Sequence, residues 1–298
     1  MTKVAVLKGG LSREREVSLS SGAACAAALR EAGYDVVEID VSHDIWERLK
    51  AEKPDVCFNA LHGPLGEDGS IQGLLNYLDI PYTHSGVAAS SLAMDKNRTK
   101  MIAAQLGIRV AAGKLVDETA FWADVPTAPY VIKPVNDGSS IDTYVVRDPA
   151  LLPFGKGAWP FKGKALLEEL IDGVELTSTV LRDRALTVTE ILPSHNEFYN
   201  YEAKYAQGGS KHILPARIPE EALQKCMDAA LKMHQALGCR GISRSDFILD
   251  TRSGQPVFLE LNNQPGMTPT SLAPEQAAYA GINFPGLMRI LIENAQTD

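Results

Sequence analysis

Val4-Ala5-Val6-Leu7-Lys8-Gly9-Gly10 is a short apolar run that stops on two glycines. Apolar at consecutive rather than alternate positions, it reads as a strand buried on both faces. The segments after it repeat the theme. An alanine-rich helix is expected from about Ser20-Ser21-Gly22 to Ala32, closed by Gly33. A strand over Tyr34–Ile39, a helix over His43–Ala51 and a third strand over Val56–Leu61 follow. Strands separated by helices pair in parallel, and a doubly wound sheet takes ligands at the carboxyl ends of its strands. Here those ends are Gly9-Gly10 and the turn His62-Gly63-Pro64-Leu65-Gly66-Glu67-Asp68-Gly69, which leads into a helix over Ser70–Leu78.

Beyond Met94 the pattern changes. A helix over Asn97–Leu106 precedes strands over Val110–Val116, Tyr130–Val135, Thr143–Arg147 and Ala165–Leu170, and a hairpin joins Glu175–Leu181 to Leu186–Ile191. His195–Pro219 has no clear period, carries Tyr199, Tyr201 and Tyr205, and reads as a functional lid or a disordered loop. An amphipathic helix over Glu220–Leu237, a hairpin of Phe247–Leu249 with Val257–Leu261, and a helix over Pro285–Asn294 complete the reading. The fold class is α/β followed by α+β, in three lobes spanning 1–93, 94–176 and 177–298.

Of 298 residues, 45% are hydrophobic and 22% charged, enough apolar area for a folded globular chain. Acids outnumber bases by 37 to 29, which argues against nucleic acid as a partner but not against one nucleotide held by local lysines. The four cysteines form no CxxC pair and read as reduced, mostly buried thiols. No 18-residue apolar stretch and no secretory segment is seen, so a cytoplasmic chain without a membrane partner is expected.

Familiar nucleotide fingerprints are missing. Lys8-Gly9-Gly10-Leu11-Ser12 does not fit G-x-G-x-x-G and there is no Walker A pattern, so a nicotinamide enzyme is disfavoured. The most informative residues lie near the carboxyl end. Glu260 and Asn262 are two apart on an expected strand and share a face; Asp246 joins them across the hairpin. Three oxygen donors on a rigid sheet suit Mg²⁺ held with a nucleotide. An isolated Glu-x-Asn is more often a solvated edge, but the polar, turn-forming continuation Asn262-Asn263-Gln264-Pro265-Gly266-Met267-Thr268 is unsuited to a core. Lys133 ends an apolar strand and precedes Asn136-Asp137-Gly138-Ser139-Ser140, a loop whose main-chain donors can close on phosphates; Lys96 is a second cation. One charge pair at ~4 Å is worth on the order of 4 kcal/mol at an effective dielectric of about 20. Two lysines with magnesium are therefore a workable minimum for a triphosphate.

The strings Gly9-Gly10-Leu11-Ser12-Arg13-Glu14-Arg15-Glu16-Val17-Ser18-Leu19, His62 to Gly69, Ile80-Pro81-Tyr82-Thr83, Met94-Asp95-Lys96, Tyr201-Glu202-Ala203-Lys204-Tyr205 and Pro265-Gly266-Met267-Thr268 carry a resemblance. In order and across essentially the whole chain, they resemble the D-alanine–D-alanine ligase family of the ATP-grasp superfamily. The resemblance implies an ATP-grasp fold and a cytoplasmic homodimer making D-alanyl-D-alanine for peptidoglycan, with ATP and Mg²⁺ (or Mn²⁺). ATP phosphorylates one D-alanine carboxylate, and the amine of a second D-alanine attacks the acyl phosphate. By the same resemblance Glu16 receives the first substrate's ammonium, and Ser139 and Tyr205 link it to the serine loop and the lid. Lys96, Lys133, Ser140 and Lys204 attend the phosphates; Glu168, Glu175 and the main chain of Leu170 hold the nucleoside; Asp246, Glu260 and Asn262 hold the metal. Arg244 and the Gly266 N–H steady the oxyanion, Ser271 and Leu272 grip the second carboxylate, and His62 lies near substrate.

One departure stands out. The family's Gly-Ser-Ser-Val-Gly is Gly138-Ser139-Ser140-Ile141-Asp142 here. A carboxylate ~5 Å from a phosphate would cost on the order of 3 kcal/mol, so Asp142→Gly is expected to raise kcat/KM for ATP. Tyr205 is retained, which favours an amine nucleophile over D-lactate. Asp142 and the polar Thr177-Ser178-Thr179 keep open a ligase for other amino or hydroxy acids. A non-catalytic nucleotide-binding relative is the third reading, against which every matched lysine, arginine and acid is present.

Overall fold

The computed structural model describes residues 1–193 and 209–298. In its first sheet β1 (Lys3–Gly9) lies between β2 (Asp35–Val41) and β3 (Val56–Asn59), all parallel. Helices α1 (Arg15–Glu31) and α2 (Ile45–Glu52) make the crossovers, and α3 (Ser70–Tyr77) and α4 (Val87–Met94) follow. Val4, Ala5, Val6 and Leu7 are fully buried, as a two-sided strand requires. The first helix starts earlier than its alanines suggest. Ser12 Oγ accepts the Glu14 N–H at 3.1 Å and donates to the His62 carbonyl at 2.7 Å, which turns the chain directly into α1. Its charged first residues conceal that turn.

The second sheet is antiparallel. Its strands are β4 (Gly113–Val116), β5 (Tyr130–Pro134), β6 (Tyr144–Val146) and β7 (Ala165–Glu169), in spatial order β4-β7-β5-β6. Helices α5 (Lys96–Gln105) and α6 (Glu118–Ala123) accompany it, and Phe121, Trp159 and Phe161 pack at its core. The third sheet is also antiparallel: β8 (Gly173–Leu181), β9 (Arg184–Pro193), β10 (Ser210–Ile213), β11 (Ile242–Asp250) and β12 (Pro256–Asn262) run in order β10-β9-β8-β11-β12. Helix α7 (Glu220–Ala236) packs on it; α8 (Leu272–Tyr279) and α9 (Phe284–Glu293) follow. Neither β10 nor α8 was expected from periodicity.

Strand membership bears on where the lobes divide. β8 belongs wholly to the third sheet, so a division at 176/177 would cut a strand, and the sheets divide before Gly173 instead. The carboxyl-terminal helix also returns to the first lobe. Leu287, Met288 and Leu291 of α9 share one hydrophobic cluster with Val4, Val6, Cys25 and Leu29. The first lobe's core is thus completed by the end of the described chain. Cys25, Cys57 and Cys226 are buried and Cys239 is partly exposed, all as free thiols; burial pushes Cys226 and Cys239 up to about 12. Among the described residues no helix is long and apolar enough to cross a membrane.

Candidate active site

A cleft of about 350 Å³ opens between the second and third sheets. Lys96, Lys133, Ser140, Glu168, Leu170 and Glu175 all line it, with Asp246 and Glu260 from the facing sheet. Ala111, Val131, Ile248 and Leu259 give it apolar walls, as a planar base would need. Every residue expected on the nucleotide side therefore meets in one place, except Lys204, which like Tyr205 lies outside the described residues.

Strand register arranges the acids. Asp246 pairs with Glu260 and Arg244 with Asn262 across β11 and β12, so all four project from one face. A bulge at Asp246/Phe247 breaks the ladder just beyond them, the kind of irregularity that re-aims side chains beside a site. Asp246 accepts two bonds from the Arg244 fork, at 2.9 and 2.8 Å, and one from Asn262 Nδ2 at 3.0 Å. Arg244, expected to face substrate, is here folded onto Asp246. Among the described residues no group of three His, Cys, Asp or Glu side chains is placed to hold a metal. The set is instead two carboxylates and an amide, and with its nitrogen turned to Asp246, Asn262 has its oxygen left to offer a cation. Such an all-oxygen set fits a hard divalent cation.

The lysines form a buried array. Lys133 Nζ lies 2.8 Å from Glu168, and Lys100 Nζ contacts the other oxygen of the same carboxylate. Lys96 Nζ is 3.2 Å from Glu260 and also donates to the Asp137 carbonyl. Burial opposes the charge on Lys133, but Glu168 and Glu260 overcome it and raise its pKa. Lys100 is lowered to about 8, by burial first and then by Lys133. Glu168, expected to hold adenine, thus commits its carboxylate to two lysines. Lys100 was missed in the sequence, although it stands one helical turn after Lys96 and so on the same face of α5.

The structure places the two acids of the first helix differently. Glu16 is exposed on α1, whereas Glu14, at the helix cap, is buried. The Ser139 hydroxyl donates to Glu14 Oε1. A Cβ on Gly63 would come 2.6 Å from the Glu14 carboxylate and one on Gly138 2.9 Å, so both glycines make room for it. Beside it lies Glu67, which accepts the Gly63 N–H at 2.9 Å. Burial, and then the charge of Glu14, push Glu67 up to about 8. Two acids that cannot both ionise cheaply would be eased by a cation beside them. An unfolded glutamate titrates near ~4.3, so between that pH and about 8 the folded chain holds the extra proton and stability falls as pH rises. Glu67→Gln is expected to flatten that slope and raise Tm at pH ~8, by roughly 2–4 °C per kcal/mol recovered. Parallel melting curves for the two proteins from pH ~5 to ~9 would refute the assignment.

The remaining expected residues surround this point. His62 is buried 3.3 Å from Ser21 Oγ, and burial holds it down to about 4, hence neutral. Ser271 caps α8, its hydroxyl bonded to Thr268 N–H at 3.1 Å, and a Cβ on Gly266 would sit 3.2 Å from that hydroxyl. The Leu272 side chain packs on Ile191, which leaves its main chain as the part suited to a ligand.

The unusual loop residue is also accounted for. Asp142 pairs with Arg13 at 2.9 Å and accepts from Tyr144 at 3.4 Å, and it is absent from the cleft lining. Its φ of +53° is the left-handed conformation where glycine is at ease. The expected gain from Asp142→Gly therefore does not follow from phosphate repulsion. That variant is expected to change KM for ATP by less than about twofold, since an exposed pair contributes roughly 0–1 kcal/mol. Steady-state titration of ATP would show it, and a tenfold gain would return the carboxylate to the phosphates.

Known proteins share this arrangement of chain. A family model described as D-ala D-ala ligase C-terminus matches residues 114–293, and one described as D-ala D-ala ligase N-terminus matches residues 44–85. The D-alanine--D-alanine ligase of Gluconobacter oxydans is 53% identical over 300 residues, covering 98% of this chain and 99% of that protein. That of Agrobacterium fabrum is 52% identical over 299 residues, covering 98% and 97%. The crystal structure of D-alanine--D-alanine ligase from Bacillus anthracis complexed with ATP superposes with a TM-score of 0.82 at 28% identity, over 99% of this chain and 97% of that one. Identity of this extent, joined to a fold match over almost the whole chain, means that the chain belongs to the D-alanine–D-alanine ligase family and has the ATP-grasp fold.

Proposed function

We propose that this chain joins two D-alanines in an ATP-dependent reaction giving D-alanyl-D-alanine, ADP and phosphate for peptidoglycan precursors. The observation that carries the reading is a single loop serving two sites. Ser139 bonds the buried Glu14, Ser140 lines the cleft, and the Asp137 carbonyl takes Lys96. An ammonium site and a polyphosphate site thus share residues 137–140.

A free carboxylate has no leaving group, and phosphorylation supplies one. A carboxylate oxygen of the first D-alanine attacks the γ-phosphorus, and the bond to the bridging oxygen breaks as ADP leaves. The amine of the second D-alanine then attacks the acyl carbon. The tetrahedral intermediate collapses by breaking its C–O bond to phosphate, and the nitrogen loses a proton. Glu14 with Glu67 holds the first ammonium, and Lys96 and Lys133 offset charge on the transferring group. Arg244 turns from Asp246 toward the second carboxylate and the oxyanion, where the Gly266 N–H assists; Ser271 and the main chain of Leu272 complete the grip. His62, neutral, orients without adding charge. Glu175, Glu168 and Leu170 border the nucleoside, while Lys204 and Tyr205 keep the roles their resemblance gives them. When bound, Mg²⁺ or Mn²⁺ neutralises phosphate oxygens, and Asp246, Glu260 and Asn262 would hold it. The homodimer and the cytoplasmic setting, free of membrane and nucleic acid, are carried by the family resemblance, and sedimentation tests the dimer.

Phosphate release from ATP, measured with a panel of D- and L-amino acids and D-lactate, tests the function. Release with D-alanine alone supports it. Release only with another acceptor, or ATP binding without turnover, would sink it.

A further inference from the structure

The polar stretch Thr177-Ser178-Thr179 runs through the middle of the third sheet, where apolar residues would be usual. Thr177, Ser178 and Thr179 are all fully buried. β8 loses register with β9 between Ser178 and Val180, so Thr179 has no partner in that ladder. Gln276 of α8, also fully buried, fills the gap. Its Oε1 accepts the Thr179 N–H at 2.8 Å, and its Nε2 donates to the Thr177 carbonyl and to Thr189 Oγ1, both at 3.0 Å. A primary amide presents one acceptor and two donors in a plane, and so can stand in for a neighbouring strand.

The main chain held in this way carries a functional hydroxyl. Thr177 lies opposite Asp246 in the β8–β11 register, and its Oγ1 donates to Asp246 Oδ1 at 2.6 Å, the nearer of its two acceptors. Neither Thr177 nor Gln276 lines the cleft. We propose that Thr177 and Gln276 are positioning residues: Gln276 fixes β8, so that the Thr177 hydroxyl sets the carboxylate of Asp246. Asp246 is thereby fastened to α8, the helix capped by Ser271, and the metal end of the site is tied to the end that holds the second amino acid. The inference rests on the proposed function for what those two ends bind.

Thr177→Val removes the donor and keeps the branched shape; Thr177→Ser keeps the donor. The readout is Mn²⁺ affinity in the presence of ADP, followed by electron paramagnetic resonance, alongside Tm and the KM for each D-alanine. Partners of metal ligands typically change affinity by about 10–100-fold when removed. Thr177→Val is expected to weaken Mn²⁺ binding at least ~10-fold, with Thr177→Ser within about threefold of wild type. Gln276→Met gives a second route that leaves Thr177 in place, and it too should weaken Mn²⁺. Adding Thr177→Val to Gln276→Met should weaken binding no further than the worse single variant. Unchanged affinity in Thr177→Val, equal loss in the valine and serine variants, or fully additive losses would each overturn the proposal. A wild type that binds Mn²⁺ but releases no phosphate with D-alanine overturns the ligase reading alone, and the comparison of variants still decides this one.

Discussion

Glu14→Gln should lose most of its ability to use D-alanine, while Glu16→Gln should differ from wild type by no more than about twofold. Removing one member of a buried, hydrogen-bonded charge pair costs about 2–5 kcal/mol of binding, which is at least roughly 30-fold in kcat/KM. The loss should appear against D-alanine and leave KM for ATP nearly unchanged, because Glu14 is absent from the nucleotide cleft. Stability should move the other way. Glu14 raises the pKa of its neighbour Glu67, so a neutral residue there removes a like-charge repulsion and should hold or raise Tm. Activity lost without stability lost separates binding from folding. Equal and small effects of the two substitutions would show that neither acid meets the substrate.

A second large effect is expected at Glu168, and there it should be structural first. Its carboxylate lies between Lys100 and Lys133, with all three side chains almost entirely buried. Glu168→Leu leaves two ammonium groups facing one another without the acid. Breaking a buried pair by removing one partner costs about 3–5 kcal/mol. At roughly 2–4 °C per kcal/mol, Tm should fall by roughly 6–20 °C. Combining it with Lys100→Met removes one of the stranded charges and should restore much of that loss, but ATP should still bind weakly because Lys133 has lost its nearest anchor. Calorimetry on the single and double variants decides it. A double variant no more stable than Glu168→Leu would mean that lost packing, rather than unbalanced charge, is responsible.

The legible parts of the fold were those with a strong local period. The continuous apolar run at Val4–Leu7 declared a central parallel strand, and Glu260-x-Asn262 declared a shared face because strand alternation has no other outcome. What was hidden depended on partners far along the chain. β10 is fixed by its ladder with β9, and α8 by Gln276 reaching into β8 and β9, neither of which leaves a pattern in its own residues. The difference between Glu14 and Glu16 has a sharper cause. Arg13-Glu14-Arg15-Glu16 offers two acids two apart, which on a helix differ by about 200° in direction, so the start of α1 decides which one turns inward. That start is set by Ser12 and the glycine turn, not by the alanines that signal the helix. Glu67 gives no sign of its role in the sequence, since its proximity to Glu14 exists only after three strands have assembled.

The cysteines give the molecule a built-in reporter of how it comes apart. Cys25, Cys57 and Cys226 sit in three separate hydrophobic clusters: one shared by α1 and α9, one on the other side of the first sheet, and one beneath the third sheet. Thiolates are the reactive form, and burial suppresses them at each position. Alkylation under native conditions would therefore register which cluster exposes itself first, residue by residue, with no cysteine engineered into the protein.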